Sequence, residues 1–323
     1  MDNFIYSLNA TMPIFLIIVV GYVLRQIGMI HEEFANDANK FVYKITLPAM
    51  LFMEMLSCDI RHTFDGKYVL YCALATISCI ALVWLLARLL IKDKSIIGEF
   101  VQGSYRGSAA ILGIALVENI SGSVAMAPLM ILGSVPLYNI FAVIVLIFEE
   151  GTKDAATANA LQNKKRKQEK IRNAILGICK NPIILSILLG MAGSYAGLTL
   201  PTILDRTATK VGSLTTPLAL IVIGAGFEGR KAIKMIWPTI AATSIKLIIQ
   251  PLVFLPVAVK LGFSSEQIAA ALVMLGAPTT ATSYIMSRNL GHEGTLSSSI
   301  VVMTTLLSSV TITLWIFILR SFV

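Results

Sequence analysis

Long apolar segments separated by short polar segments recur along the whole chain. A helix needs about 20 mostly apolar residues to cross the hydrocarbon core of a bilayer. The segments that meet this condition are residues 6–28, 36–58, 66–92, 97–118, 122–149, 182–199, 203–227, 232–259, 266–288 and 295–320. Lipid offers no hydrogen bonds to the backbone, so only helices and closed β-barrels can span it. The alternation of apolar and polar residues that is typical of barrel strands is missing, so these segments predict helices. The sequence therefore predicts an all-α, polytopic membrane protein with ten transmembrane helices.

The composition agrees with a membrane protein and argues against an enzyme. Hydrophobic residues make up 56% of the 323 residues and charged residues 14%, whereas soluble domains have about 25% charged residues. The mean hydropathy is +0.79. The four cysteines and three histidines form no CxxC or HExxH motif, and no GxSxG motif is present. We therefore predict no metal ion, no cofactor and no catalytic residues.

A basic linker divides the chain into two halves. Residues 150–180 contain the run Lys164 to Lys167 and separate a first half, residues 1–149, from a second half, residues 181–323. Basic loops of membrane proteins stay in the cytoplasm, which explains the run more simply than nucleic-acid binding does. With five spans on each side of a cytoplasmic linker, both termini are predicted to lie outside the cytoplasm. The predicted location is the cell membrane, with lipid as the surrounding partner.

The two halves resemble each other. The second span contains Thr46-Leu47-Pro48 and the seventh contains Thr215-Thr216-Pro217, each with its proline near the middle. The fourth and ninth spans are both rich in small residues and both look interrupted. Because each half has an odd number of spans, the two repeats must have opposite orientation. Inverted repeats with interrupted helices in matching places predict a binding site near the middle of the membrane.

The fourth span places a cation inside the membrane. Arg106 lies between Gly103 and Gly107, which form a GxxxG pattern that is also typical of plain helix packing. A charge within a span normally faces protein or a water-filled cavity. Arg106 could pair with Glu54 or Glu118, or it could receive a substrate carboxylate. We expect both glutamates to lie towards the outer ends of their spans and to reach the interface.

The ninth span combines a proline with several hydroxyl groups. Pro278 removes one helical hydrogen bond and disfavours helix at Ala277. A helix that restarts after it would present N–H groups with partial positive charge, which favour anions. The hydroxyl groups that could donate to the same anion belong to Thr279, Thr280, Thr282 and Ser283. The alternative is a simple kink whose hydroxyls bond to their own backbone.

The fifth span carries Tyr138 and Asn139 directly after Pro136. An asparagine within a span must find a partner, and interhelical hydrogen bonding is its ordinary role. Asn139 could instead line a cavity and contact substrate. Lys246 is a further ionisable residue within a span.

Several stretches resemble the auxin efflux carrier family, which includes plant auxin exporters and bacterial malate and malonate permeases. The match extends span by span over nearly the whole chain, and the short linker is similar to the bacterial branch. The stretches are Met12-Pro13-Ile14-Phe15 with Gly21-Tyr22, Asn39-Lys40-Phe41-Val42 with Leu47-Pro48, Gly103 to Gly113, Pro136-Leu137-Tyr138-Asn139, Pro217-Leu218-Ala219-Leu220 with Gly224-Ala225, and Ala277-Pro278-Thr279.

This resemblance implies two inverted five-helix repeats in which helices 4 and 9 are broken and cross. Helices 1, 2, 6 and 7 would form a scaffold that suits a homodimer, and helices 3–5 with 8–10 a transport unit that moves against it. Substrate carboxylates would bind at the crossing. The family often has asparagine where this chain has Ser108. The predicted site consists of Arg106, Gly107, Ser108, Tyr138, Asn139, Ala277, Pro278, Thr279, Thr280, Thr282 and Ser283.

The leading functional hypothesis is a secondary active transporter of small organic anions that works by elevator-like alternating access. The alternative is a sodium-coupled organic anion symporter of the bile-acid-transporter type. A channel would need a ring of repeated pore-lining residues, which the inverted repeat with broken helices does not favour. The exact substrate, the direction of transport, the coupling ion and the oligomeric state stay open.

Overall fold

The structure, a computed structural model, describes residues 2–58, 65–108, 117–118, 126–149, 177 and 179–322, and all regular structure within these ranges is helical. Five of its helical segments are long and apolar enough to cross a membrane: residues 66–90, 127–149, 202–225, 236–260 and 295–319. Shorter apolar helices cover 11–26, 182–196 and 265–276. An all-helical, polytopic membrane protein is thereby confirmed, whereas the number of ten spans and their inverted repeat stay predictions. Residues 150–176 of the linker lie outside the described ranges.

Apart from the fourth and ninth spans, whose helices end at Tyr105 and Gly276, the described helices follow the predicted spans to within a few residues. Those of the first half are α1 (Asp2–Gln26), α2 (Glu32–Phe41), α3 (Leu47–Leu56), α4 (Gly66–Leu90), α5 (Ile97–Tyr105) and α6 (Ala127–Glu149). Those of the second half are α7 (Pro182–Ala196), α8 (Thr202–Ser213), α9 (Thr215–Ala225), α10 (Gly229–Lys234), α11 (Ile236–Ser244), α12 (Gln250–Lys260), α13 (Ser265–Gly276), α14 (Thr282–Asn289) and α15 (Thr295–Phe322).

Two wide π-helical turns join consecutive helices, and each ends shortly before a proline. Val42–Thr46 precedes Pro48, and Ile245–Ile249 precedes Pro251. A proline inside a helix has no N–H to donate, and its ring clashes with the carbonyl four residues back. A wider turn accommodates that clash. At the second turn the indole N–H of Trp315 donates to the carbonyl of Leu247, four residues before Pro251, at 3.0 Å.

Helices α1 and α9 pack in close backbone contact. A methyl group added to Gly224 would overlap the carbonyl oxygen of Ile18, and one added to Gly21 would overlap that of Ile221. Small residues at such a contact let two helices approach more closely than larger side chains allow, which is the usual way in which helices associate in a membrane. This contact therefore depends on glycine at both positions.

We expect Gly224→Ala to destabilise the protein by about 1–3 kcal/mol, because the added methyl group must push α1 and α9 apart. The thermal unfolding temperature of the purified protein in detergent measures the effect. Gly229→Ala is the control, since a methyl group there meets nothing within 4 Å. Equal unfolding temperatures for the two variants would contradict the close contact.

Candidate functional site

The helix of the fourth span is interrupted at the predicted arginine. Helix α5 ends at Tyr105, and Arg106 is extended, with φ −80° and ψ 118°. Its N–H still closes the last turn by donating to the carbonyl of Gln102 at 3.2 Å. Residues 109–116, which include the rest of the predicted glycine-rich stretch, lie outside the described ranges.

The helix of the ninth span is interrupted where Pro278 predicts. Helix α13 ends at Gly276, and Ala277 is extended, with φ −64° and ψ 149°, as expected for a residue before proline. The chain returns to helix in α14, which begins at Thr282. The interruption leaves the carbonyl end of α13 and the N–H end of α14 facing the middle of the protein, where both need partners.

These two interrupted segments lie side by side. Gly107 and Thr279 form a single antiparallel bridge, and the N–H of Ser108 donates to the carbonyl of Pro278 at 2.8 Å. The hydroxyl of Thr279 donates to the carbonyl of Gly103 at 2.8 Å. Its N–H donates to the hydroxyl of Thr304 on α15 at 3.1 Å. Each segment thus provides hydrogen-bond partners for backbone groups of the other.

The close approach at this bridge favours glycine at position 107. A Cβ atom there would lie 3.0 Å from both the ammonium nitrogen of Lys246 and the carbonyl oxygen of Met274. Lys246 is fully buried, and its ammonium donates to the carbonyls of Leu275 at 2.8 Å and Met274 at 3.1 Å. It therefore supplies hydrogen-bond donors, and a positive charge, to the negative end of α13.

Arg106 is buried and bound by neutral groups. Its guanidinium donates to the side-chain oxygen of Asn139 at 2.7 Å and to the sulfur of Met286 at 2.7 Å, with a longer bond of 3.5 Å to Gln102. Among the described residues it forms no ion pair within 4.0 Å with Glu54 or Glu118, although Glu54 lines the same cavity. A buried cation held by neutral groups keeps its charge available to an anion.

Asn139 acts as the interhelical hydrogen-bonding group that its type predicts. Its amide N–H₂ donates to the carbonyl of Val135 at 2.9 Å, while its oxygen accepts from Arg106. The neighbouring Tyr138 donates through its hydroxyl to the carbonyl of Met274 at 3.3 Å. Helix α6 thus orients the guanidinium and also holds the end of α13.

A small cavity of about 40 Å³ lies at the crossing, between α3, α6 and the two interrupted segments. Seven of the eleven predicted site residues line it: Arg106, Gly107, Ser108, Tyr138, Asn139, Thr280 and Thr282. The other lining residues are Leu47, Met50, Leu51, Glu54 and Val135. One wall comes mainly from α3 and is apolar except for Glu54, and the opposite wall is mostly polar.

The other four predicted residues, Ala277, Pro278, Thr279 and Ser283, belong to the supporting structure. Ala277 and Pro278 form the break itself. Ser283 donates through its hydroxyl to the carbonyl of Thr280 at 2.8 Å, so the alternative of a hydroxyl bonded to its own backbone holds for this residue. The hydroxyls of Thr280 and Thr282 lie 3.2 Å apart and bond to each other at the edge of the cavity.

The expectation that Glu54 reaches the interface is wrong. Glu54 lines the cavity, and its Oε2 atom is buried and has no hydrogen-bond partner among the described residues. The sequence did contain a signal, because Leu47, Leu51 and Glu54 follow one another at spacings of four and three and therefore share one face of the helix. That face looks into the protein.

Two buried glutamines that the sequence reasoning missed hold the crossing together. Gln102 donates to the carbonyl of Ser283 at 2.8 Å and to the hydroxyl of Ser287 at 3.2 Å. Gln250 donates to the carbonyl of Ser104 at 2.5 Å. A polar amide within a span must find a partner, and this signal could have identified both. Within the described ranges no cluster of three or more His, Cys, Asp or Glu side chains could hold a metal ion.

Comparisons with known proteins give matches over nearly the whole chain. The family model described as "Membrane transport protein" matches residues 6–316. A protein of Rhizobium meliloti (strain 1021) named "Putative malonate transporter" is 21% identical over 96% of this chain and 95% of its own. An "Uncharacterized transporter" of Methanothermobacter thermautotrophicus is 22% identical over 97% of this chain and 98% of its own. The "Uncharacterized transporter YfdV" of Escherichia coli (strain K12) is 23% identical, with 98% of both chains covered.

Proposed function

Because the chain belongs to the membrane transport protein family, the family of the auxin efflux carriers that its motifs resemble, we propose that it is a secondary carrier of small organic carboxylates. The observation that carries the proposal is the cavity at the crossing, in which the buried guanidinium of Arg106 faces hydroxyl groups and the start of α14. A relative named as a malonate transporter supports a carboxylate as the substrate.

The polar wall of the cavity offers donors of the kinds that bind a carboxylate. Guanidinium groups bind carboxylates through charge-assisted hydrogen bonds, which are roughly twice as strong as neutral ones. The hydroxyls of Ser108, Thr280 and Thr282 line the same wall. The first N–H groups of α14 have no partners within their own helix, and the helix end carries partial positive charge. A carboxylate placed between Arg106 and α14 would satisfy all three kinds of donor.

The position of the cavity supports elevator-like alternating access. Its apolar wall is on α3, which packs against α7 and α8, and these belong to the spans predicted to form the scaffold. Its polar wall comes from the fourth, fifth and ninth spans, which are predicted to form the transport unit. A substrate bound to the polar wall would travel with that unit while α3 stays in place. Apart from Glu54, the side chains of α3 that line the cavity are apolar and would offer it no polar contacts that must be broken.

The wider organisation belongs to the same proposal. We infer ten spans in two inverted repeats joined by the basic linker, with helices 4 and 9 broken and crossing. Both termini would lie outside the cytoplasm, and a homodimer would form through the scaffold. Moving one negative charge through the membrane potential changes the free energy by about 2.3 kcal/mol per 100 mV. An inside-negative potential therefore favours efflux of an anion, and uptake requires a coupling cation.

Ligand-dependent thermal stabilisation tests the proposal. The purified protein is heated with malonate, malate or indole-acetate, each with and without sodium. A ligand at 100 times its dissociation constant stabilises the folded state by about 2.7 kcal/mol, which raises the unfolding temperature measurably. We expect stabilisation by at least one carboxylate. A shift that requires sodium would instead favour the symporter of the bile-acid-transporter type.

Variants locate the binding site. Ser108→Ala and Thr280→Ala each remove a hydroxyl from the cavity wall and are expected to reduce the carboxylate-dependent shift. Thr207→Ala is the matched control, since Thr207 is exposed on α8 and its hydroxyl bonds only to its own helix among the described residues. If no carboxylate stabilises the protein under any condition, the proposed function is refuted.

A further inference from the structure

The cavity contains an acid that binding of a carboxylate by itself does not explain. Glu54 projects from α3 on the opposite side of the cavity from the crossing, and its buried Oε2 atom has no hydrogen-bond partner in the described part of the chain. Burying a carboxylate oxygen without a donor is unfavourable, because the hydrogen bonds it made with water are not replaced. The Oε2 atom of Glu54 therefore requires a hydrogen-bond donor or a proton.

The charged group that shares the cavity with Glu54 is Arg106. The described ionisable groups on the other surrounding elements are neutral or turned outwards. On its own helix the thiol of Cys58 donates to the backbone carbonyl of Glu54 at 3.3 Å. The remaining groups on elements around α3 are Tyr138 in the cavity wall, Tyr43, which accepts from Asn181, and Lys44, Tyr195, Asp205, Arg206 and Lys210, whose residues are exposed.

The ionisable side chains at the crossing can accommodate one additional negative charge. Arg106 and Lys246 are buried cations on the two sides of Gly107, and Glu54 is the one acid among the described residues that line the cavity. With Arg106 and Lys246 protonated and Glu54 ionised, these three groups carry one net positive charge. A monocarboxylate neutralises it, whereas a dicarboxylate dianion brings one negative charge too many. Like charges in one low-dielectric site favour uptake of a proton by one of them.

We propose that Glu54 is the proton-coupling residue of this carrier and that it takes up one proton for each dicarboxylate dianion bound. This inference rests on the proposed function and adds its substrate class and its coupling ion. One carboxylate of the substrate binds on the Arg106 side of the cavity. A proton from the aqueous phase adds to Oε2 of Glu54, which then donates a hydrogen bond to the second carboxylate. Release of the dianion on the other side of the membrane returns that proton to water.

Proteoliposomes measure the coupling directly. The protein is reconstituted with a pH-sensitive dye in the lumen, and uptake of radiolabelled malonate is recorded together with the change in lumenal pH. For the wild type we expect acidification of the lumen by about one proton per malonate and uptake that accelerates as the external pH falls. If Glu54 carries the proton, replacing it changes the number of protons moved per malonate. Replacing a carboxylate with a purely structural role would not change that number.

Two variants assign the proton to this residue. Glu54→Gln retains the shape of the protonated side chain, so we expect it to take up malonate without acidifying the lumen and without dependence on external pH. Glu33→Gln is the control, because Glu33 is exposed in the first turn of α2. It should couple as the wild type does. Should Glu54→Gln fail to fold, Glu54→Asp keeps a titratable group and should retain one proton per malonate at a reduced rate.

The failures of the two proposals are distinguishable. Malonate uptake by the wild type without any proton movement would overturn the role of Glu54 and leave the carboxylate carrier standing. A Glu54→Gln variant that still moves about one proton per malonate would also overturn the role of Glu54 and leave the carboxylate carrier standing. A protein that moves no carboxylate at all would refute the proposed function and, with it, this inference.

Discussion

Replacing Arg106 with glutamine is expected to reduce carboxylate transport by more than about 100-fold. The guanidinium is the cation that faces the cavity, and charge-assisted hydrogen bonds to a buried carboxylate contribute about 1.5–3 kcal/mol each. Arg106→Lys keeps the charge but loses the planar fork, so an intermediate loss is expected. Uptake of radiolabelled carboxylate by proteoliposomes measures both variants.

The stability of the Arg106 variants separates transport from folding. Arg106 is held by neutral partners, so removing it takes away a buried charge together with its hydrogen bonds. These two effects oppose each other, and we expect the unfolding temperature of Arg106→Gln to change little. Arg288→Gln is the matched control, since Arg288 is exposed and bonds to the carbonyl of Glu293 and to Asn36. Retention of transport by Arg106→Gln would show that the cavity does not bind its substrate through the guanidinium.

Replacing Lys246 with methionine is expected to impair both stability and transport. The substitution retains much of the volume of the side chain but leaves the carbonyls of Met274 and Leu275 without their donor. A buried carbonyl that loses its partner costs about 1–3 kcal/mol, and a further contribution from the charge at the end of α13 is also lost. We expect a destabilisation of about 3 kcal/mol, measured as a fall in the unfolding temperature.

Transport should fail in the Lys246 variant because the crossing loses its shape. The ammonium lies directly behind Gly107, whose backbone forms the cavity wall, so movement of the α13 end would shift the site. Lys210→Met is the control, since Lys210 is exposed on α8. An unchanged unfolding temperature for Lys246→Met would mean that water or another donor satisfies the two carbonyls and that the lysine is not what holds the crossing.

The sequence predicted the interruption of the ninth span well because its cause is local. Proline lacks an N–H and restricts the residue before it, so the end of α13 could be placed at Pro278 without knowledge of any neighbour. The π-helical turns before Pro48 and Pro251 have the same cause, although a proline alone does not specify a π-helical geometry. Hydropathy located the helices because a bilayer requires long apolar segments, whatever they pack against.

What the sequence did not predict depends on residues far apart in the chain. The position of Glu54 along its span predicts a side chain at the interface, yet the face it occupies is decided by the segments that pack against α3. Gly107 pairs with Thr279, which is 172 positions further along the chain. Lys246 contacts Met274 and Leu275 at the end of α13, which are 28 and 29 positions away. No local pattern specifies such contacts. The types of residue in the site could be predicted, but their partners could not.

Counterflow in proteoliposomes tests the carrier claim most directly. Vesicles are loaded with unlabelled malonate and diluted into a trace of labelled malonate, with no ion gradient and with the membrane potential clamped at zero. A carrier that alternates between two sides exchanges inner for outer substrate, so we predict transient accumulation of label above equilibrium, and its absence in Arg106→Gln. If no carboxylate from malonate, malate and indole-acetate supports counterflow in the folded wild-type protein, the proposal of a carboxylate carrier is contradicted.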